Sequence, residues 1–362
     1  MNVASALPGR VPGLIRRPPQ ALLLCVLTAL LGLTVLMSLN IGATGIGLGD
    51  LPRALFHGAR DRADSSAMAT ARLVLLDIRL PRALLGLLTG GALGAAGAVM
   101  QGLFRNPLAD PGLIGVSSGA ALATALVIVL GDGALAPLIA SLDPWAQPLA
   151  GLTGGFIATL ILYAFATHQG ATSIATVLLG GVALSAFAAA LTGILVFLAN
   201  DRQLRDLTFW TLGSLSGASW PRLLAELPFL AVGAACLPGL IHSLNALLLG
   251  EADAFHTGVR VEWAKRLALL AVACLVGVSV SAVGVIGFIG VLTPHLIRLI
   301  GGPDHRVVLP GAALLGGALL LLSDTLARTI AAPAEMPVGV ITAAVGAPCF
   351  FWLLLRHRDQ VG

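Results

Sequence analysis

From Ala21 to Leu39 the chain runs without a charged residue, and apolar stretches of similar length recur to its end. A helix needs ~20 apolar residues to cross the ~30 Å hydrocarbon core of a bilayer. The stretches that qualify are 21–39, 80–103, 112–130, 148–166, 174–198, 222–241, 266–283, 285–300, 308–330 and 337–355. In lipid, every backbone N–H and C=O must be satisfied within the protein, so runs of this length have to be helical. The sequence therefore predicts an all-α polytopic membrane protein with about ten transmembrane helices. Composition excludes the soluble alternative: 57% of the 362 residues are hydrophobic and 10% charged, against ~25% charged in a typical soluble domain.

The first twenty residues hold three arginines and four prolines, a poor helix. Signal peptides also begin with a basic front. Residues 21–39, however, are long enough to span and show no clear small-x-small cleavage site, so they read as a retained first span. An even number of spans puts both termini on one side. Arginine and lysine divide almost evenly between alternate loops, so charge asymmetry does not orient the chain.

The chemistry the chain lacks is equally informative. A phosphate loop needs a lysine followed by Ser or Thr, and the one lysine, Lys265, precedes Arg266. There is no HExxH or CxxC. Cys25, Cys236, Cys274 and Cys349 all lie in apolar runs, which reads as buried small hydrophobes with neither a disulfide framework nor a metal site. The expectation is no catalytic residue, no metal, no resident cofactor and no nucleic-acid partner. Ionisable residues within spans are few, as an ion-coupled carrier would not be. Asp324 and Arg328 stand at i and i+4, where they can pair, and Glu335 falls at a span junction that reads as wet.

Four stretches concentrate the remaining signal. Gly284 to Arg306 reads GVIGFIGVLTPHLIRLIGGPDHR. Its glycines at 284, 287 and 290 predict a small-residue helix face for close packing. Pro294 predicts a kink or early end, with Asp304, His305 and Arg306 meeting water. Asp77 to Ala120 carries Gly90, Gly94 and Gly97, a second such face, and ends in the turn signals of RNPLADP. After Asn200, a charged and aromatic segment too short to span predicts an interfacial helix, with Trp210 and Trp220 at the water boundary. The loop 242–265 holds Leu244, Leu247 and Leu248, then acidic residues and Gly258.

Taken together, these strings resemble the FecCD-type permease subunits of ABC importers for iron–siderophores, haem and cobalamin, from about Asp50 to Arg356. Thr293 departs from that pattern, where an aliphatic residue is commoner; its hydroxyl can bond back to its own helix. The resemblance implies a type II ABC importer permease fold in the cell inner membrane, with residues 1–20 and 357–362 as cytoplasmic tails around a 21–356 permease domain. It implies a homodimer with the pathway between the copies, in contact with membrane lipid, two cytoplasmic ATPase subunits that consume the ATP, and a periplasmic substrate-binding protein.

By position, Arg79, Arg82 and Arg328 match the binding-protein dock, and Leu247, Gly250, Glu251 and Ala252 the ATPase dock. Asn106, Leu108, Thr172 and Ser173 match the cytoplasmic gate. The string NDRQLRDLTFWTLGSLSGASW is closer to haem permeases than to cobalamin or ferric siderophore permeases. It marks Arg205, with Arg202 assisting, as pathway cations for a carboxylate-bearing substrate. An ion-coupled secondary transporter is the reading from another class.

Overall fold

The computed structural model describes residues 18–42, 47, 49, 65–133, 135–168, 171–332 and 334–358. Most of both expected tails lie outside the described residues, as do 43–46, 48 and 50–64, while Ser65–Arg72 and Leu73–Arg79 are helical. Ten apolar helices follow in order: α1 (Gln20–Asn40), α2 (Leu80–Phe104), α3 (Val116–Leu130), α4 (Ala146–Ala166) and α5 (Ile174–Leu198), then α6 (Trp220–Leu247), α7 (Val261–Val283), α8 (Ile289–Gly301), α9 (His305–Ile330) and α10 (Val338–Arg358). Seven are long and apolar enough to cross a bilayer unaided, while α3, α8 and α10 are the shorter ones. A two-residue β-hairpin, β1 (Thr167–His168) and β2 (Ala171–Thr172), joins α4 to α5.

Helix α2 lies at the centre, and its glycines explain how. A methyl group on Gly90 would overlap the carbonyl of Gly316, one on Gly94 the carbonyl of Ala312, and one on Gly97 the backbone of Gly290. Without side chains there, α2 packs backbone to backbone on α9 and the start of α8. That close approach is what favours helix association where lipid offers no hydrophobic drive. Thr293, at the same seam, bonds its hydroxyl to the Ile289 carbonyl at 2.8 Å, as expected for a hydroxyl inside a membrane helix.

The expected glycine face from 284 to 290 does not form. Helix α7 stops at Val283, and Gly284 (φ +79°) and Phe288 (φ +68°) turn the chain before α8 begins. Any side chain on Gly284 would strike the Trp210 carbonyl. Irregular backbone at membrane depth is tolerated where protein covers it; here Ser214 N–H bonds the Val283 carbonyl at 2.8 Å. Pro294 sits within α8 without ending it. With 13 residues, α8 rises about 20 Å, which falls short of a full crossing.

The interfacial helix, Asp201–Thr211, forms as expected. The Asn200 side chain accepts from Gln203 N–H at 2.9 Å and the Gln203 side chain accepts from Asn200 N–H at 3.1 Å, a reciprocal cap. Gln203 also donates to the Val129 carbonyl at 2.9 Å, fixing this helix to the end of α3. Trp210 and Trp220 are half-buried and donate to the carbonyls of Ser281 and Leu76. The cysteines are all unpaired; Cys274 is buried but Cys25 is exposed, against expectation.

Candidate functional site

At the end of the molecule where α1 stops, the three expected docking arginines converge. Arg82 donates to Asp324 through Nε at 3.1 Å and Nη2 at 2.9 Å, and through Nη1 to Glu335 at 2.9 Å. Arg328 pairs with the same Asp324 at 3.0 Å, as the i, i+4 spacing predicted, and donates to the Ser38 carbonyl at 3.2 Å. Arg79 donates to the Leu39 carbonyl at 2.7 Å. All three are buried, at 4%, 7% and 9% exposure for Arg79, Arg82 and Arg328. Their charge is met inside the protein, so they do not present three open cations as the sequence implied. Glu335, at 46% side-chain exposure, is the group of this network that reaches solvent.

The two expected pathway cations sit one turn apart on the interfacial helix, and Arg202 alone of the two lines the cavity beside it. Arg202 lines a cavity of about 640 Å³ together with Asp132, Gln147, Asp206, Trp210 and Arg222. Arg205 is exposed and is not part of that lining. On the same helix Arg202 pairs loosely with Asp206 at 3.9 Å. Behind Arg222 lies a carboxylate that sequence reading missed. Glu226 has no exposed surface, and its nearest charge is Arg222 Nε at 3.8 Å. Its signal was one acid in an otherwise apolar run.

At the opposite end, the RNPLADP turn is built by its own polar side chains. Asn106 Oδ1 accepts from Leu108 N–H at 2.9 Å and Asp110 Oδ1 accepts from Gly112 N–H at 2.7 Å. Burial pushes the Asp110 carboxyl above its usual range, a shift the Gly112 N–H partly offsets. Asn106 is half-buried and Leu108 is 38% exposed. Thr172 lies in β2, and Ser173 caps α5 by accepting from Thr176 N–H at 3.3 Å. Both gate pairs therefore sit at this same end.

The expected ATPase dock needs one correction. Helix α6 runs on to Leu247, six residues past the expected span, and Leu247 is 1% exposed in the core. The exposed apolar side chains here are instead Leu248, Leu249, Ala252 and Phe255, on the turn and short helix Glu251–His256. Gly250 (φ +123°) makes that turn in a conformation open to glycine. Glu251 is anchored from below: Lys265 Nζ lies 3.0 Å from Glu251 and 3.0 Å from Glu262.

A buried polar cluster beside this surface was also misread. His305, expected in water, has no exposed surface. Only its neighbours Asp304 and Arg306 reach solvent, and the Arg306 N–H holds the Asp304 carboxyl below its ordinary range.

The profile of the FecCD transport family matches residues 30–356. The chain belongs to that family. A hemin transport system permease protein of Yersinia pestis is 43% identical over 95% of this chain and 98% of its own length. A cobalamin import system permease protein of Halobacterium salinarum is 45% identical over 80% and 75%, and a vitamin B12 import system permease protein of Shigella boydii 41% identical over 93% and 95%. A metal-chelate type ABC transporter, solved in an inward-facing conformation, superposes with a TM-score of 0.78 at 30% identity, covering 93% of this chain and 99% of the other. This FecCD chain is thus an ABC importer permease of type II fold, a multi-pass protein of the inner membrane. Its relatives are permease subunits.

Proposed function

We propose that this permease carries haem, as a homodimer served by two ATPase subunits and a periplasmic binding protein, with no ATP site or resident cofactor of its own. The observation that carries the substrate choice is the interfacial helix, which holds Arg202 and Arg205 beside Phe209 and Trp210. Haem joins a flat apolar ring to two carboxylates, and carboxylates are costly to move through a low-dielectric passage unless a cation meets them. The exposed guanidinium of Arg205 meets that need bidentately. The extent of the match to the hemin permease supports the same choice. Cobalamin is the second reading, favoured by relatives of nearly equal identity.

On this reading Asn106, Leu108, Thr172 and Ser173 close the inner gate, and Gly250, Glu251 and Ala252 receive the ATPase. Glu335 shares Arg82 with whatever acidic surface the binding protein brings. The test is uptake of haem, cobalamin and a ferric siderophore by the reconstituted complex, with Arg205→Ala beside wild type. Haem uptake that falls about tenfold or more in the variant, with binding-protein docking and ATP hydrolysis intact, is the expected result. Uptake of cobalamin alone, or haem uptake unchanged in the variant, overturns the substrate assignment.

A further inference from the structure

Between the expected ATPase dock and the expected inner gate lies a run of polar contacts, continued at each end by a few residues of backbone. It begins on the last turns of α6, just before the docking turn. There Asn245 Nδ2 donates to Asp304 Oδ1 at 2.8 Å, while Asn245 Oδ1 lies 2.8 Å from His305 N and 2.9 Å from its Nδ1. An amide oxygen only accepts, so Nδ1 carries the imidazole proton and Nε2 is left as acceptor. Facing Nε2 at 3.3 Å is Nη2 of Arg298, a donor, on α8.

Arg298 then reaches α2: it donates to Gln101 Oε1 and, at 3.2 Å, to the Ala98 carbonyl. Gln101 closes the circuit by donating to the Val291 carbonyl at 3.0 Å. Five residues on is Asn106, in the gate turn. The path needs a glycine at 102, because a Cβ there would lie 2.5 Å from His305 Nε2. Each link of the run sets a donor against an acceptor, and each helix enters it through one or two side chains.

Resting on the importer reading above, we propose that Asn245, Asp304, His305, Arg298 and Gln101 are a mechanical relay, which turns displacement of the ATPase-docking turn into movement of the gate turn after α2. Such a set works because its donor–acceptor order has a direction. Reversing one link forces two like groups together, and the ends move independently. These are positioning residues; none of them touches substrate.

The experiment replaces the four native cysteines, places a cysteine at Asn106, and measures N-ethylmaleimide labelling of the ATPase-bound permease with and without ATP plus vanadate. Asn245→Asp keeps the acceptor for His305 but sets a second carboxylate against Asp304. It is expected to retain the ATPase and ATP hydrolysis, while the nucleotide-dependent change in labelling falls about tenfold, within the usual range of coupling between sites. The exchange Asn245→Asp with Asp304→Asn restores a donor to that link and is expected to recover the response, which a merely structural defect would not do. Unchanged nucleotide dependence in Asn245→Asp overturns the relay, as does loss of the ATPase from that variant. Should Asn245→Asp not accumulate, Gln101→Leu decides at the other end by the same readout. Wild type that binds no ATPase, or labels alike in both states, overturns the parent reading as well.

Discussion

The two ends of the helix bundle each bury a polar cluster, and the clusters are built on different plans. At the end where α1 stops, proposed to be the outer one, charge balances charge: Arg82 and Arg328 close on Asp324, and Glu335 takes the remaining arm of Arg82. Both arginines have second holds, Arg82 on Glu335 and Arg328 on the end of α1. At the inner end a single guanidinium, Arg298, is met by an amide, an imidazole and a carbonyl, and each link is the only one of its kind. The first plan is redundant and ties α1, α2 and α9 into one body. The second is serial, so a displacement at one point is felt at the next. On the proposed reading, the redundant cluster faces the binding protein and the serial one the ATPase.

The sharpest way to break this comparison is Asp324→Asn. It removes the buried charge that Arg82 and Arg328 share and leaves each only its second hold, a loss worth about 3–5 kcal/mol, and is expected to lower the thermal unfolding midpoint more than any single change at the inner end. If an inner-end variant costs more, the redundant plan is not the stronger one. Gln101→Leu comes next. It leaves Arg298 short of an acceptor inside the protein, for about 1–3 kcal/mol, read as a smaller shift in the same melt. Glu335→Gln is the mildest. A half-exposed pair is worth roughly 1 kcal/mol or less, and its effect is expected to shrink as salt rises; an effect as large as that of Asp324→Asn would show that Glu335 belongs to the buried clamp.

How much of this was readable beforehand depended on distance along the chain. Helices announce themselves by unbroken apolar length, so all ten were placed, α6 alone running well past its expected end. The Asp324–Arg328 pair was readable because both partners share a helix face. The glycines of α2 were legible as a packing face because their spacing is local too. By contrast, Arg82 meets Asp324 across 242 positions of sequence, and nothing local says that two arginines will be consumed by it. The same holds for Asn245 and His305, 60 positions apart. His305 looked wet because Asp304 and Arg306 beside it are; helix α9 begins there and turns the middle residue inward. The glycines at 284, 287 and 290 misled because their spacing fits one helix face, whereas positive φ at Gly284 and Phe288 puts the first two outside any helix.

Lys265 carries the only side-chain amine in the chain, and the structure stores it at 6% exposure between Glu251 and Glu262. Amine-directed chemistry on this permease accordingly has a single side-chain address, shut while the short helix Glu251–His256 rests on α7. An activated ester would acylate that nitrogen only in the moments when the helix lifts and the ammonium loses its carboxylates and a proton. The rate of that acylation is a clock built into the protein: it counts how often the short helix, the proposed ATPase seat, comes away from α7.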